Sequence, residues 1–149
     1  MTKIFLEFLF LCLLLIPFSV VNAQSEVKVE LPQLKVKVTN IKKAKGMVRM
    51  AAYSPDQKFL GEETSLSINE TVTRKGEVIL VVNIPFGTYA FSLYHDEDGD
   101  GALDSNFLGI PKEPYGFSNN ARGVFGPPKY KSASFEFNEA EQMIEIKVK

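Results

Sequence analysis

The residues of this chain best suited to chemistry lie in the run His95-Asp96-Glu97-Asp98-Gly99-Asp100-Gly101-Ala102-Leu103-Asp104, where acids alternate with other residues. Asp96, Asp98 and Asp100 fall at positions one, three and five of a calcium-binding loop, Gly101 at the sharp turn of position six, and Asp104 at position nine. Alternate side chains in such a loop curl toward one point. Three carboxylates gathered there repel one another until a hard divalent cation with oxygen ligands neutralises them. The backbone carbonyl of Ala102 supplies position seven. Position twelve, which holds a bidentate Glu in a complete loop, is Phe107. The expected Ca²⁺ site is therefore weak, with a dissociation constant on the order of 10⁻⁴ to 10⁻³ M. Ser118, Asn119 and Asn120 carry neutral oxygens that could complete the shell. The competing reading is an Asp- and Gly-rich turn that keeps its carboxylates in water.

His95 is the only histidine, and its place beside the acids raises an alternative function, a hydrolase using His95 and the loop carboxylates. The alternation Tyr89, Phe91, Leu93 instead carries His95 onto the apolar face of its strand, the setting of a structural imidazole. No Gly-x-Ser-x-Gly turn offers a nucleophile, and we assign no catalytic residue. The candidate ligand-binding residues are Tyr115, Phe117, Ser118, Asn119 and Asn120, with Phe125 nearby. Aromatic faces beside a polar cluster suit a sugar or a peptide, although aromatics in long loops also pack inward to hold the loop.

The elements that must position these residues are strands. Apolar side chains alternate at Val27, Val29 and Leu31, then at Leu34, Val36 and Val38 across an interruption at Pro32. Met47 to Ser54 reads as a second strand, and Leu66, Ile68 and Val72 mark a third. Val78 to Val82 is apolar on both faces, which predicts a central place in a sheet. Thr88 to Asp96 follows the turn at Pro85-Phe86-Gly87, and two closing strands carry Ala133, Phe135 and Phe137, then Ile144, Ile146 and Val148. Six to eight strands with no sustained helical period predict an all-β fold, an antiparallel sandwich of two sheets.

One segment breaks the pattern. Glu97 to Tyr130 runs 34 residues without clear alternation, well beyond the usual length of a structureless connection. It holds six of the ten glycines and too many apolar residues for a solvated linker. The expectation is one long ordered loop, folded over an end or edge of the sandwich and pinned by its own aromatics.

The first residues read as an export signal. Lys3 precedes an apolar stretch from Phe8 to Phe18, and Val21-Asn22-Ala23 supplies small residues for cleavage, which makes residues 1–23 a signal peptide and 24–149 a single domain. The apolar run is short for a membrane span, so no transmembrane segment is expected after cleavage. Cys12, the single cysteine, lies inside the signal, which leaves no disulfide or thiol chemistry beyond it. The formal net charge is −1 with no basic stripe, a balance that argues against nucleic acid as a partner.

The stretch Ile84-Pro85-Phe86-Gly87-Thr88-Tyr89-Ala90 through Tyr94-His95-Asp96 resembles a family of secreted bacterial proteins, the domain of unknown function numbered 2141. So do Asn106-Phe107-Leu108-Gly109-Ile110-Pro111, Tyr115-Gly116-Phe117-Ser118-Asn119-Asn120 and Phe125-Gly126-Pro127-Pro128. The resemblance implies a β-sandwich of immunoglobulin or transthyretin-like type, exported in Gram-negative bacteria, and it implies no activity. More loosely, the strand entry Pro85-Phe86-Gly87-Thr88-Tyr89 ahead of an Asp-rich loop is similar to carboxypeptidase regulatory-like and other prealbumin-like modules, which are accessory.

Together these readings predict a non-enzymatic module of the periplasm or a secreted one. It would bind a small ligand or an envelope protein through the long loop, with Ca²⁺ at the loop's base. The alternatives are a purely structural envelope module that pairs through a sheet edge and the hydrolase.

Overall fold

The computed structural model describes residues 30–149; the expected signal at 1–23 and the alternation at Val27 and Val29 lie outside the described residues. Eight strands are present among these residues: β1 Gln33–Ile41, β2 Met47–Tyr53, β3 Leu66–Thr71, β4 Gly76–Asn83, β5 Gly87–Asp96, β6 Tyr115–Phe117, β7 Ser134–Phe137 and β8 Met143–Lys147. A 3-10 turn at Ser118–Asn120 and a four-residue helix, α1, at Tyr130–Ala133 lie between β6 and β7.

The strands form two sheets. One runs β4-β1-β8; the other runs β3-β2-β5-β6, with β7 also paired to β5. Because successive side chains of a strand point to opposite faces, Leu34, Val36 and Val38 of β1 meet Val48, Met50 and Ala52 of β2 and Phe91 and Leu93 of β5 in one core, closed by Leu80, Val82, Phe137 and Ile146. Each of the larger side chains contributes about 1.5 to 3 kcal/mol through its removal from water. The expected all-β sandwich is the fold observed, with antiparallel pairings except for β1 and β8, which run parallel.

The order of the strands differs from expectation at β4. Its apolar character on both faces predicted a central strand, yet it lies at the end of the three-stranded sheet. Leu80 and Val82 face the core, while Ile79 and Val81 stay partly exposed opposite Lys37 and Lys35 of β1. β-branched residues suit an exposed pleated surface flanked by the apolar stems of lysines, so their presence on the outer face does not require a neighbouring strand.

The long excursion after β5 lies over the outer face of the second sheet rather than capping an end. Phe117, Ala121 and Ala133 pack onto Ala90 there, with Phe59, Tyr115 and Tyr130 around them. The rings of Phe59 and Tyr130 meet edge to face with centroids 5.9 Å apart, and those of Tyr115 and Phe117 do the same at the same separation. Part of the expected pinning is therefore present. Phe107 and Phe125 take no share in it, being 95% and 100% exposed.

Candidate functional site

β5 ends in the acidic run, and its alternation decides where each group points. His95 continues the core face of Tyr89, Phe91 and Leu93 and is fully buried. Its Nε2 lies 2.7 Å from the carbonyl oxygen of Lys45, which can only accept, so Nε2 carries the proton. Nδ1 has no hydrogen-bond partner and lies 3.9 Å from Glu97 Oε1. Asp96 points to the opposite face of the same strand, so the imidazole and the carboxylate of these neighbours do not converge.

Asp96 is the centre of a network. Its Oδ2 accepts from Arg49 Nε at 2.5 Å and from the Gly101 amide at 3.1 Å, and its Oδ1 accepts from the Gly99 amide at 2.7 Å. Gly99 and Gly101 both hold positive φ, a backbone state that turns their N–H groups inward and that glycine adopts without a Cβ clash. The alternation of acids and glycines thus builds a cradle of donors around one carboxylate. Burial pushes the Asp96 carboxyl up, but the Arg49 hydrogen bond, the two amides and the Arg49 charge together outweigh burial and hold its pKa below the usual carboxylate range.

Glu113 makes a second bridge. It is 7% exposed, and its two oxygens accept from the amides of Glu97 at 2.7 Å and Asp104 at 3.3 Å, pinning both ends of the acidic loop. The carboxylates that come within 4.8 Å of one another are those of Asp96, Asp98 and Glu113, and this cluster could hold a metal ion. Of the five residues expected to bind a cation, the cluster includes Asp96 and Asp98. Asp100 turns its carboxylate back to the amide of Ala102, and Asp104 meets Glu113 through its own backbone N–H. Sequence reasoning missed Glu113 because it lies outside the loop motif. Its signal was isolation, for it is the only acid between Ser105 and Phe135.

The polar triplet expected to close the shell serves the fold. Ser118 is fully buried; its Oγ accepts from the Phe91 amide at 2.8 Å and donates to the Ala133 carbonyl at 2.5 Å. Asn119 Nδ2 donates to the Ser134 carbonyl, and Asn120 Oδ1 accepts from the Lys147 amide, each at 2.7 Å. These bonds tie the excursion to β5, β7 and β8.

Beside the acidic loop the excursion encloses a cleft of about 650 Å³ on the outer face of the second sheet. Tyr94, Tyr115 and Phe117 form its floor side, and two turns flank it, one with Leu108 and Ile110 and the other with Val124 and Pro127. The expected ligand-binding aromatics Tyr115 and Phe117 are thus brought together at this cleft, whereas Ser118, Asn119 and Asn120 are not among its lining residues.

Residues 36–145 match the family described as "Uncharacterized protein conserved in bacteria (DUF2141)". The chain belongs to this family. Its acidic loop and excursion fall within the matched span, as does most of the β-sandwich, so the cleft is a feature of the DUF2141 region itself. No curated protein and no solved structure matches the chain. Among the described residues no helix is long and apolar enough to cross a membrane.

Proposed function

We propose that this member of the DUF2141 family is an exported, non-catalytic binding module that acts in the periplasm or after secretion, and that its binding face is the cleft on the second sheet. The observation that carries this reading is the concentration of exposed apolar side chains at the cleft's rim. Phe107, Leu108 and Ile110 on one turn and Val124 and Phe125 on the other all face solvent. Large exposed apolar groups in one place mark interaction surfaces, since a surface without a partner gains nothing from keeping them out of the core. The floor residues supply aromatic faces and the Tyr94 side chain, the mix of apolar wall and few polar groups expected of a ligand site.

Titration with the dye 8-anilinonaphthalene sulfonate tests this. The folded chain is expected to enhance the dye's fluorescence, and an Ile110→Ser, Val124→Ser variant is expected to lose most of that enhancement while unfolding at an unchanged temperature. Equal enhancement by both proteins would end the cleft reading.

The proposal includes a divalent cation, Ca²⁺ by preference, at Asp96, Asp98 and Glu113. Three carboxylates in one place favour a hard cation with oxygen ligands, and Asp98 is exposed, its carboxylate held only by a long 3.3 Å bond from the Asp100 amide. Asp96 and Glu113 already satisfy amide donors, so the cation would stiffen an ordered loop. Millimolar Ca²⁺ is expected to raise the thermal midpoint by a few degrees relative to chelator, by mass action on the native state, and an Asp98→Asn variant to lose the rise. Equal midpoints with Ca²⁺, Mg²⁺ and chelator would remove the cation from the reading.

A further inference from the structure

The edges of the two sheets are not treated alike. On one side of the sandwich the outward groups of β8 are occupied. Asn120 accepts from the Lys147 amide at 2.7 Å and donates to the Glu145 carbonyl at 3.5 Å, and Tyr115 of β6 exchanges backbone bonds with Lys149. At β7 the Gln142 Nε2 donates to the Glu136 carbonyl at 2.9 Å. The remaining edges are β3 and β4, and no described residue bonds the outer side of either strand. β3 is polar from Ser67 to Thr71 apart from Ile68, whereas β4 runs Val78-Ile79-Leu80-Val81-Val82 with no charge, proline or glycine to blunt it.

Backbone geometry decides which groups of β4 face outward. The Lys35 amide of β1 donates to Gln142, on the β8 side. By alternation Leu34, Val36 and Val38 turn their N–H and C=O groups toward β4, where they pair with Val82, Leu80 and Val78. Glu77, Ile79, Val81 and Asn83 therefore turn theirs away from β1. The same residues carry their side chains on the outer face, where Ile79 and Val81 are 41% and 47% exposed. The β-branched side chains alone ask for no neighbour, but a row of open amides and carbonyls is a template for another strand.

Once the strand lies at an edge, the order of its residues decides what fits it. Glu77 to Asn83 reads polar, Val, β-branched, Leu, β-branched, Val, polar, a palindrome of residue types centred on Leu80. A two-fold contact between identical chains requires such self-complementarity, since residue i meets j and j meets i. Antiparallel pairing of two copies about Leu80 sets Ile79 of each opposite Val81 of the other, and Glu77 opposite Asn83. The outward backbone groups coincide at all of these pairs, each of which exchanges two N–H···O bonds, and apolar β-branched side chains directly opposite one another stabilise the pairing. A slip of two residues would set the Glu77 carboxylate against Val81. Charge permits the approach, because Glu77 is ion-paired at 2.8 Å with Lys37 of its own copy, and Lys35 and Lys37 stand one strand back from the junction. A strand of an unrelated protein would use the same amides but would leave the palindrome without a role.

We infer that this protein forms a two-fold dimer in which β4 pairs antiparallel with β4 of a second copy, joining the two three-stranded sheets into one continuous sheet. The contact belongs to the first sheet and is independent of the cleft on the second. A single pair of strands is a small interface, so the dimer is reversible and depends on concentration.

Sedimentation equilibrium from about 1 µM to about 1 mM tests this, using the chain as processed and recovered from an export-competent bacterium. The parent is expected to pass from monomer to dimer within that range. Ile79→Lys, Val81→Lys and Ile79→Glu, Val81→Glu are each expected to weaken the dimer at least about tenfold, because like charges then meet at both central pairs. An equimolar mixture of the two is expected to recover a dimer, lysine meeting glutamate. Single cysteines give a second measurement that does not depend on the charged chains folding. Ile79→Cys mixed with Val81→Cys is expected to link under mild oxidation, because opposite residues lie within disulfide reach, whereas Ile79→Cys alone is not, its two copies lying diagonally across the junction. A parent that stays monomeric to about 1 mM overturns the inference. So does a dimer that survives the charged substitutions, a mixture of folded charged chains that stays monomeric, or Ile79→Cys linking to itself as readily as to Val81→Cys. Conversion of a monomeric parent to a dimer on deletion of residues 24–29 would make the chain's own N-terminal segment the occupant of the edge and likewise overturn it.

Discussion

Replacing Asp96 with asparagine is expected to cost about 2 to 3 kcal/mol of folding stability, toward the lower end of what breaking a buried ion pair costs because Arg49 keeps partial access to solvent. The substitution keeps the shape of the side chain but removes its charge, and it turns an amide donor toward a site where Arg49 Nε and the amides of Gly99 and Gly101 all donate. At least one donor is then left without an acceptor in a buried place, the costly outcome for any polar group. A fall of about 10 °C in the thermal midpoint corresponds to this loss in a domain of this size. A change under about 2 °C would show that the network contributes little. The double variant Asp96→Asn, Arg49→Met is expected to be less damaging than the sum of the single changes, since the arginine's loss of partner is the shared cause.

The same carboxylate gives stability a direction in pH. Its folded pKa is depressed below the ordinary value of 3.8, so in acid the unfolded chain takes up its proton first. The contribution of Asp96 is present in full above about pH 4 to 5 and is lost as pH falls through the folded pKa. Denaturant midpoints measured downward from about pH 5 are expected to fall more steeply for the parent than for Asp96→Asn. Parallel curves would assign acid sensitivity to other groups.

Gly46→Ala is expected to be comparably severe, at about 3 kcal/mol, for two separate reasons. Gly46 holds φ at +70°, where an L side chain costs about 1 to 2 kcal/mol. An alanine Cβ would also lie 2.0 Å from the carbonyl oxygen of Asp96, so the backbone of one strand end must move. Gly76 is the control. It holds φ at +99° with nothing within 4 Å of an added Cβ, so Gly76→Ala is expected to show the conformational cost alone, about 1 kcal/mol. If the two variants unfold at the same temperature, close packing of Gly46 against Asp96 is not what holds the loop base. Movement there would reach the imidazole as well, because His95 Nε2 donates to the carbonyl of Lys45, the residue before Gly46.

These contacts connect stability to the proposed binding face. Asp96 and Glu113 hold the two ends of the acidic loop, and the turn carrying Phe107 and Ile110 emerges between Asp104, which Glu113 binds, and Pro111. A variant that loosens the acidic network is therefore expected to weaken presentation of that turn without altering any residue that lines the cleft.

The sequence by itself determined which residues form strands and which face of each strand is apolar, because a period of two is a local property of extended backbone. It therefore located β1 to β5 within a few residues and placed His95 on the core face. It also set the acidic loop at the end of a core strand, since the alternation ends where the glycines begin. The tertiary structure decided what those residues meet. Arg49 reaches Asp96 across the pairing of β2 with β5, and Glu113 replaces Asp100 and Asp104 as the third carboxylate of the cluster because the returning chain offers it the amides of Glu97 and Asp104. Likewise, nothing in the run around Val78 to Val82 states how many neighbours its strand will have, and nothing in the spacing of Phe107, Tyr115, Phe117 and Phe125 separates the two rings that pack from the two that stand in water. Both depend on where distant backbone supplies hydrogen-bond partners and apolar surface, a matter of chain crossing rather than of local pattern.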